Sequence, residues 1–154
     1  MAQGKAKVHC PYCHERVEKA DYPAHEEAHL ALKPDGQHSE YATLPEEERE
    51  DGDLTGVPQM YVHRKCGVAT RMPEEIVRSY LKNPYLYSAD QTFCCGCGKH
   101  VPFRACVWTE TGEDLQSYTD KLRAAKPEMK GQGCFGVLPL LGVGLSGVVA
   151  AVMA

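Results

Sequence analysis

The stretch Cys10-Pro-Tyr-Cys13-His-Glu-Arg-Val17-Glu-Lys19-Ala-Asp21-Tyr22-Pro23-Ala24-His25-Glu26-Glu27-Ala-His29 decides how this chain folds. Two cysteines separated by two residues turn a tight knuckle that aims both thiolates at one point. Two histidines four apart lie one above the other on a single helix face. Cys10, Cys13, His25 and His29 therefore predict one closed zinc site. Val17 and Tyr22 are placed to plug the space between hairpin and helix. Asp21 can cap that helix, with Pro23 in its first turn.

Written out, the run is Cys-x2-Cys-x11-His-x3-His. Over residues 8–30 it resembles the two-Cys, two-His zinc-finger family, and the resemblance implies a ββα fold organised by zinc. The family usually places about twelve residues between its inner ligands; here there are eleven. Shortened fingers that open with Cys-Pro-x-Cys also resemble protein-binding fingers, ubiquitin-binding ones among them. In DNA-reading members the start of the helix faces bases. Here that face offers Lys19, Asp21, Ala24, Glu26 and Glu27, an acidic surface toward a polyanion. A single finger spans only about three base pairs. The finger is expected to be structural or protein-binding.

A second ligand set follows. His63-Arg-Lys-Cys66-Gly67 and Cys94-Cys-Gly-Cys97-Gly98 each place two ligands two residues apart with Gly behind them. Glycine there permits a positive φ, so backbone amides can turn toward the thiolates. His63, Cys66, Cys94 and Cys97 thus predict a second zinc site, and the paired knuckles resemble a zinc ribbon. The helix expected between them departs from a minimal ribbon. Cys106 is the alternative to His63, giving an all-thiolate site, and an iron–sulfur cluster on Cys66, Cys94, Cys97 and Cys106 is a further alternative. Cys95 and Cys106 otherwise read as small buried hydrophobes.

The wider composition agrees with metal. The chain has 154 residues with eight Cys and seven His, and its 43% apolar content is inflated by the last twenty residues. A chain with so little core needs disulfides, metal or a partner. The opening MAQGKAKVHC lacks the apolar run of a signal peptide, and the cysteines interleave with histidines at ligand spacing. Zinc in a reducing, cytoplasmic setting is the expectation, in preference to disulfides.

The expected fold class is α+β in small metal-organised modules. Residues 8–31 form the finger, 32–56 an acidic linker, 57–126 a ribbon-like module with two helices, and 131–154 an apolar Gly-rich tail. Between Asp35 and Asp53 stand eight acidic residues against one Arg, the mark of a solvated run too polar to couple its neighbours. One helical turn is expected at 44–49. Strands are expected at 57–63 and 101–109, and helices at 72–82 and 113–125. Phe135–Ala154 carries no charge and follows Lys121, Arg123, Lys126 and Lys130. Its length suits an apolar membrane-anchoring helix with the modules on the cytoplasmic side; burial against protein is the alternative.

These features predict a non-enzymatic protein holding two zinc ions and acting as a protein-interaction adaptor. Both sites can be closed by four protein ligands, whereas a catalytic zinc keeps a position open. Two other readings stand beside it: a nucleic-acid binder using Arg64, Lys65, Arg71 and Arg78, and a thiol- or metal-dependent enzyme using Cys95 or Cys106.

Overall fold

The computed structural model describes residues 6–132. The tail expected to anchor in a membrane lies outside them. Among the described residues no helix is long and apolar enough to cross a membrane.

The described chain is α+β, with three α-helices and seven short strands. It opens with strand β1 (Lys7–His9) paired antiparallel to β2 (Arg16–Glu18), Val8 facing Val17. Helix α1 (Tyr22–His29) follows with Pro23 in its first turn, and none of its residues is buried. Asp21 occupies the cap position, but its side chain makes no capping bond; its carbonyl instead accepts from the His25 amide at 3.1 Å. Val17 and Tyr22 are only half-buried, and Cys10 and Pro11 are the buried residues of 6–30. So thin a core cannot order this segment without help.

The second half builds around a three-stranded antiparallel sheet, β4 (Ala69–Arg71), β3 (Met60–His63) and β7 (Cys106–Trp108), with β3 central. Hairpin β5 (Gln91–Cys94) and β6 (Lys99–Pro102) stands beside it. Helix α2 (Glu74–Lys82) begins after Pro73, with Glu74 and Glu75 at its positive end, and helix α3 (Leu115–Ala125) is capped by Asp114, whose carboxylate accepts from the Ser117 amide at 2.9 Å. Tyr61, Met72, Val77, Phe103, Trp108 and Leu115 form the core.

The single strand expected over 101–109 is two strands. Pro102 has no N–H to extend the ladder, and a 3-10 turn at Phe103–Ala105 buries Phe103 and carries the chain from one sheet to the other. Strand β3 likewise starts at Met60 rather than Val57, after the buried Pro58.

The connector is more firmly held than its charge suggests. Glu46–Glu48 form an exposed 3-10 turn, yet the residues around them are tied down on both sides. Thr43, 4% exposed, donates its amide to the Pro11 carbonyl at 3.1 Å and bonds the His14 ring through its hydroxyl. The Leu44 amide donates to Ser79 Oγ, the Tyr87 hydroxyl donates to the Ala42 carbonyl at 2.6 Å, and Arg78 donates to the carbonyls of Glu50 and Gly52. The acids stay in water while the backbone between them crosses protein.

Candidate metal centres

Three knuckles share one local geometry. In each, the amide four residues after the first ligand donates to that ligand's carbonyl: His14 to Cys10 at 2.9 Å, Gly67 to His63 at 2.8 Å and Gly98 to Cys94 at 2.8 Å. The closing residue takes a positive φ in every case, 63° at His14, 69° at Gly67 and 62° at Gly98. Glycine adopts this conformation freely, as the sequence reading anticipated for Gly67 and Gly98. At the first knuckle a histidine pays the steric cost, and its side chain is engaged with Thr43 at 3.2 Å.

The structure gathers both predicted sets. One ligand atom from each of Cys10, Cys13, His25 and His29 lies within 4.8 Å of the others, and the same holds for His63, Cys66, Cys94 and Cys97. The edges can be compared with a metal's demands. Tetrahedral zinc, with bonds of about 2.3 Å to sulfur and 2.0 Å to nitrogen, has ligand–ligand edges of about 3.3–3.8 Å. At the first site Cys13 Sγ stands 3.3 Å from His25 Nε2, and His25 Nε2 3.1 Å from His29 Nε2. At the second, Cys66 Sγ is 3.5 Å from Cys94 Sγ, and His63 Nδ1 is 3.6 Å from Cys94 Sγ and 3.3 Å from Cys97 Sγ. The donor sets, two thiolates with two imidazoles and three thiolates with one, suit a borderline-soft divalent ion.

His63 rather than Cys106 completes the second set. The two residues stand directly opposite each other on β3 and β7, but only His63 brings a ligand atom into the four-membered group. Burial of Cys106, then the nearby thiols of Cys94 and Cys66, push its thiol up to about 11. Cys66 behaves oppositely: a hydrogen bond from the Val68 amide pulls its thiol below the usual value. Burial raises Cys13 and Cys97, whose pairing with a cation would reverse that effect. Cys95 is exposed, outside the cluster, with its amide donating to Thr70 Oγ1 at 3.1 Å.

Four contributors escaped the sequence reading. Glu40, inside the acidic connector, places Oε2 3.1 Å from His29 Nδ1. A carboxylate there orients the imidazole and makes its other nitrogen a better ligand. His14 closes the first knuckle, as described. Gly36, at φ 84°, passes so close to the second site that a Cβ would stand 2.2 Å from the Gly98 carbonyl oxygen. Gly96 lies between Cys95 and Cys97, and a Cβ there would meet Val68 at 2.6 Å and Cys66 Sγ at 2.9 Å. No ligand-spacing rule reaches Glu40 or Gly36, because both act through tertiary approach. Of the two glycines flanking Cys97, the sequence pointed to a turn at Gly98 and gave Gly96 no role.

Comparison with protein-family models, with curated proteins and with solved structures finds no match. The geometry itself defines the class: a small α+β protein whose described residues form two four-membered Cys/His groups able to hold metal.

Proposed function

We propose that both groups hold structural zinc and that the protein is a non-enzymatic adaptor recognising another protein. The observation that carries this reading is closure: each group supplies four convergent protein ligands, which leaves no position for a metal-bound water or substrate. The surface supports it too. Helix α1 has no buried residue, and Leu30, Leu32 and Tyr41 beside it are exposed apolar side chains, Leu32 at 69%. Small acidic and apolar faces on a rigid finger suit a protein partner better than a phosphate backbone.

The nucleic-acid reading draws less support. Of its four basic residues, Arg78 is bound to Glu74 at 2.7 Å and to two connector carbonyls, and Arg64 donates to the Arg104 carbonyl. A thiol enzyme built on Cys106 would need an accessible sulfur, and Cys106 is fully buried. We further propose that residues 135–154 tether the protein to the cytoplasmic face of a membrane.

Partner capture by the zinc-loaded full chain, compared with a Glu27→Lys/Leu32→Asp variant, tests the adaptor reading. Loss of the same captured protein with both metals retained supports it. Salt-sensitive retention of nucleic acid, abolished by Arg64→Glu/Lys65→Glu, overturns it. For the tether, the full chain should stay with membranes through carbonate washing, while a chain ending at Lys130 becomes soluble. Release of the full chain by high salt or carbonate removes that part of the proposal.

A further inference from the structure

The two ligand groups differ in how open their sulfurs are. In the first, Cys10 is fully buried and Cys13 half-buried. In the second, Cys94 is fully buried and Cys97 half-buried, but Cys66 is exposed, alone among the thiols of the two groups. It stands in an exposed run, residues 64–69, with Arg64 and Lys65 beside it. An accessible thiolate with positive charge nearby is the kind that oxidants reach first.

Cys66 also has a second thiol in reach. Its Sγ lies 3.5 Å from Cys94 Sγ, so a sulfur oxidised at Cys66 is already in contact with a partner. Charge acts in the same direction. With zinc bound, three thiolates leave the second group net negative, whereas two leave the first neutral. The excess charge sits on sulfur and keeps it nucleophilic. Cys95 is exposed too, but it lies outside the group, so its oxidation removes no ligand.

We infer that the second site is a peroxide-sensitive switch in which Cys66 is oxidised and pairs with Cys94, releasing that metal while the first site keeps its own. The inference rests on the reading of both groups as zinc sites. The Cys66 thiolate attacks one peroxide oxygen: an S–O bond forms, the O–O bond breaks, and the hydroxide that leaves takes a proton from solvent. The Cys94 thiolate then attacks Cys66 Sγ. An S–S bond forms, the S–O bond breaks, and a second hydroxide leaves and is protonated. Two thiolates are oxidised to a disulfide and one peroxide is reduced to two waters. His63 and Cys97 are the ligands left, too few for a closed zinc site. Residues 57–126 keep their apolar core, so a thiol reductant with added zinc restores the site; a disulfide, unlike a sulfinic acid, is reversible.

The zinc-loaded full chain is counted for metal, treated with hydrogen peroxide at neutral pH and followed with a chromophoric zinc indicator. One of its two zinc ions should leave well ahead of the other. Peptide mapping after the free thiols are blocked should find Cys66 joined to Cys94, with Cys10 and Cys13 still reduced. Cys66→His, which keeps a ligand but removes the exposed sulfur, should hold both ions through the same treatment. Where that variant fails to load its second ion, the disulfide map of the unaltered chain decides alone. Retention of both ions, their release together, release from the first site first, or a disulfide that omits Cys66 or Cys94 overturns the inference and leaves the zinc reading intact. So does loss of zinc from a fully loaded Cys66→His at the native rate. A starting count below two overturns the zinc reading and the inference with it.

Discussion

At the scale of single residues, the ligands are surrounded by side chains that set how well they bind. Glu40→Ala removes the carboxylate from His29 Nδ1 and should lower affinity at the first site about 10- to 100-fold. Competition with a chromophoric chelator would resolve this, with the second site unchanged; equal loss at both would mean Glu40 acts on folding instead. Glycine at 36 answers to backbone contact. Gly36→Ala combines a positive φ with a 2.2 Å approach to the Gly98 oxygen, and should cost about 2–4 kcal/mol in denaturant unfolding of the zinc-loaded protein. Gly67→Ala has a similar φ but nothing within 4 Å, so its cost should stay near 1 kcal/mol. Similar values for the two would show that the connector does not hold its place against the second site. The surplus cysteines separate by the same logic. Cys97→Ser should lose one of two metals by elemental analysis and Cys95→Ser neither, since only Cys97 stands 3.3 Å from His63 Nδ1.

At the scale of elements, short strands and helices are held by caps and cross-links more than by their own propensity. Helix α3 shows both. Asp114 caps its start, and Arg123 near its end reaches Asp90 at 2.7 Å and donates to the Pro84 carbonyl at 3.0 Å. Burial alone would raise the Asp90 carboxyl, but hydrogen bonds from Arg123 and Gln116 outweigh it and hold the group below its ordinary value. Asp90 also sits at φ 51° and accepts from the Phe103 amide, so one residue joins α3 to the turn between the two sheets. Arg123→Ala leaves that half-buried carboxylate unpaired and should destabilise the second half by about 2–3 kcal/mol. Asp114→Ala, losing one cap, should cost about 1 kcal/mol. Thermal unfolding followed at Trp108 would rank them, and a larger effect for Asp114 would contradict this division of labour.

At the scale of the whole molecule, the metals and the connector decide what unfolds with what. Zinc should contribute on the order of 10 kcal/mol or more per site, which the sparse burial of residues 6–30 makes indispensable there. Cys13→Ser should therefore release one metal and collapse the chemical-shift dispersion of residues 7–29. Residues 57–126 have their own core and should keep theirs, while the Thr43 and Leu44 amides, bonded to Pro11 and Ser79, lose hydrogen-exchange protection. Melting of 57–126 as well would make the protein a single cooperative unit.

Much of this was written in local sequence. Knuckle and helix spacings are short-range geometry, so Cys10, Cys13, His25 and His29 could be assembled from intervals alone, and so could the pairing of His63-Cys66 with Cys94-Cys97. The helices at 74–82 and 115–125 followed from apolar periodicity, the first also from Pro73 and its acidic start, to within two residues. The break at Phe103–Ala105 did not, because β-propensity runs through it and only the two sheets' separate pairing requires the turn. Spacing favoured His63 because its knuckle matches the others, and left Cys106 as the alternative. They stand directly opposite each other on β3 and β7, and only the formed sheet shows that His63 alone of the two brings a ligand atom into the four-membered group. Glu40 on His29 and Gly36 against Gly98 belong to the same category. Each is a contact between segments distant in sequence, set by packing and fixed by no local preference of the residues that make it.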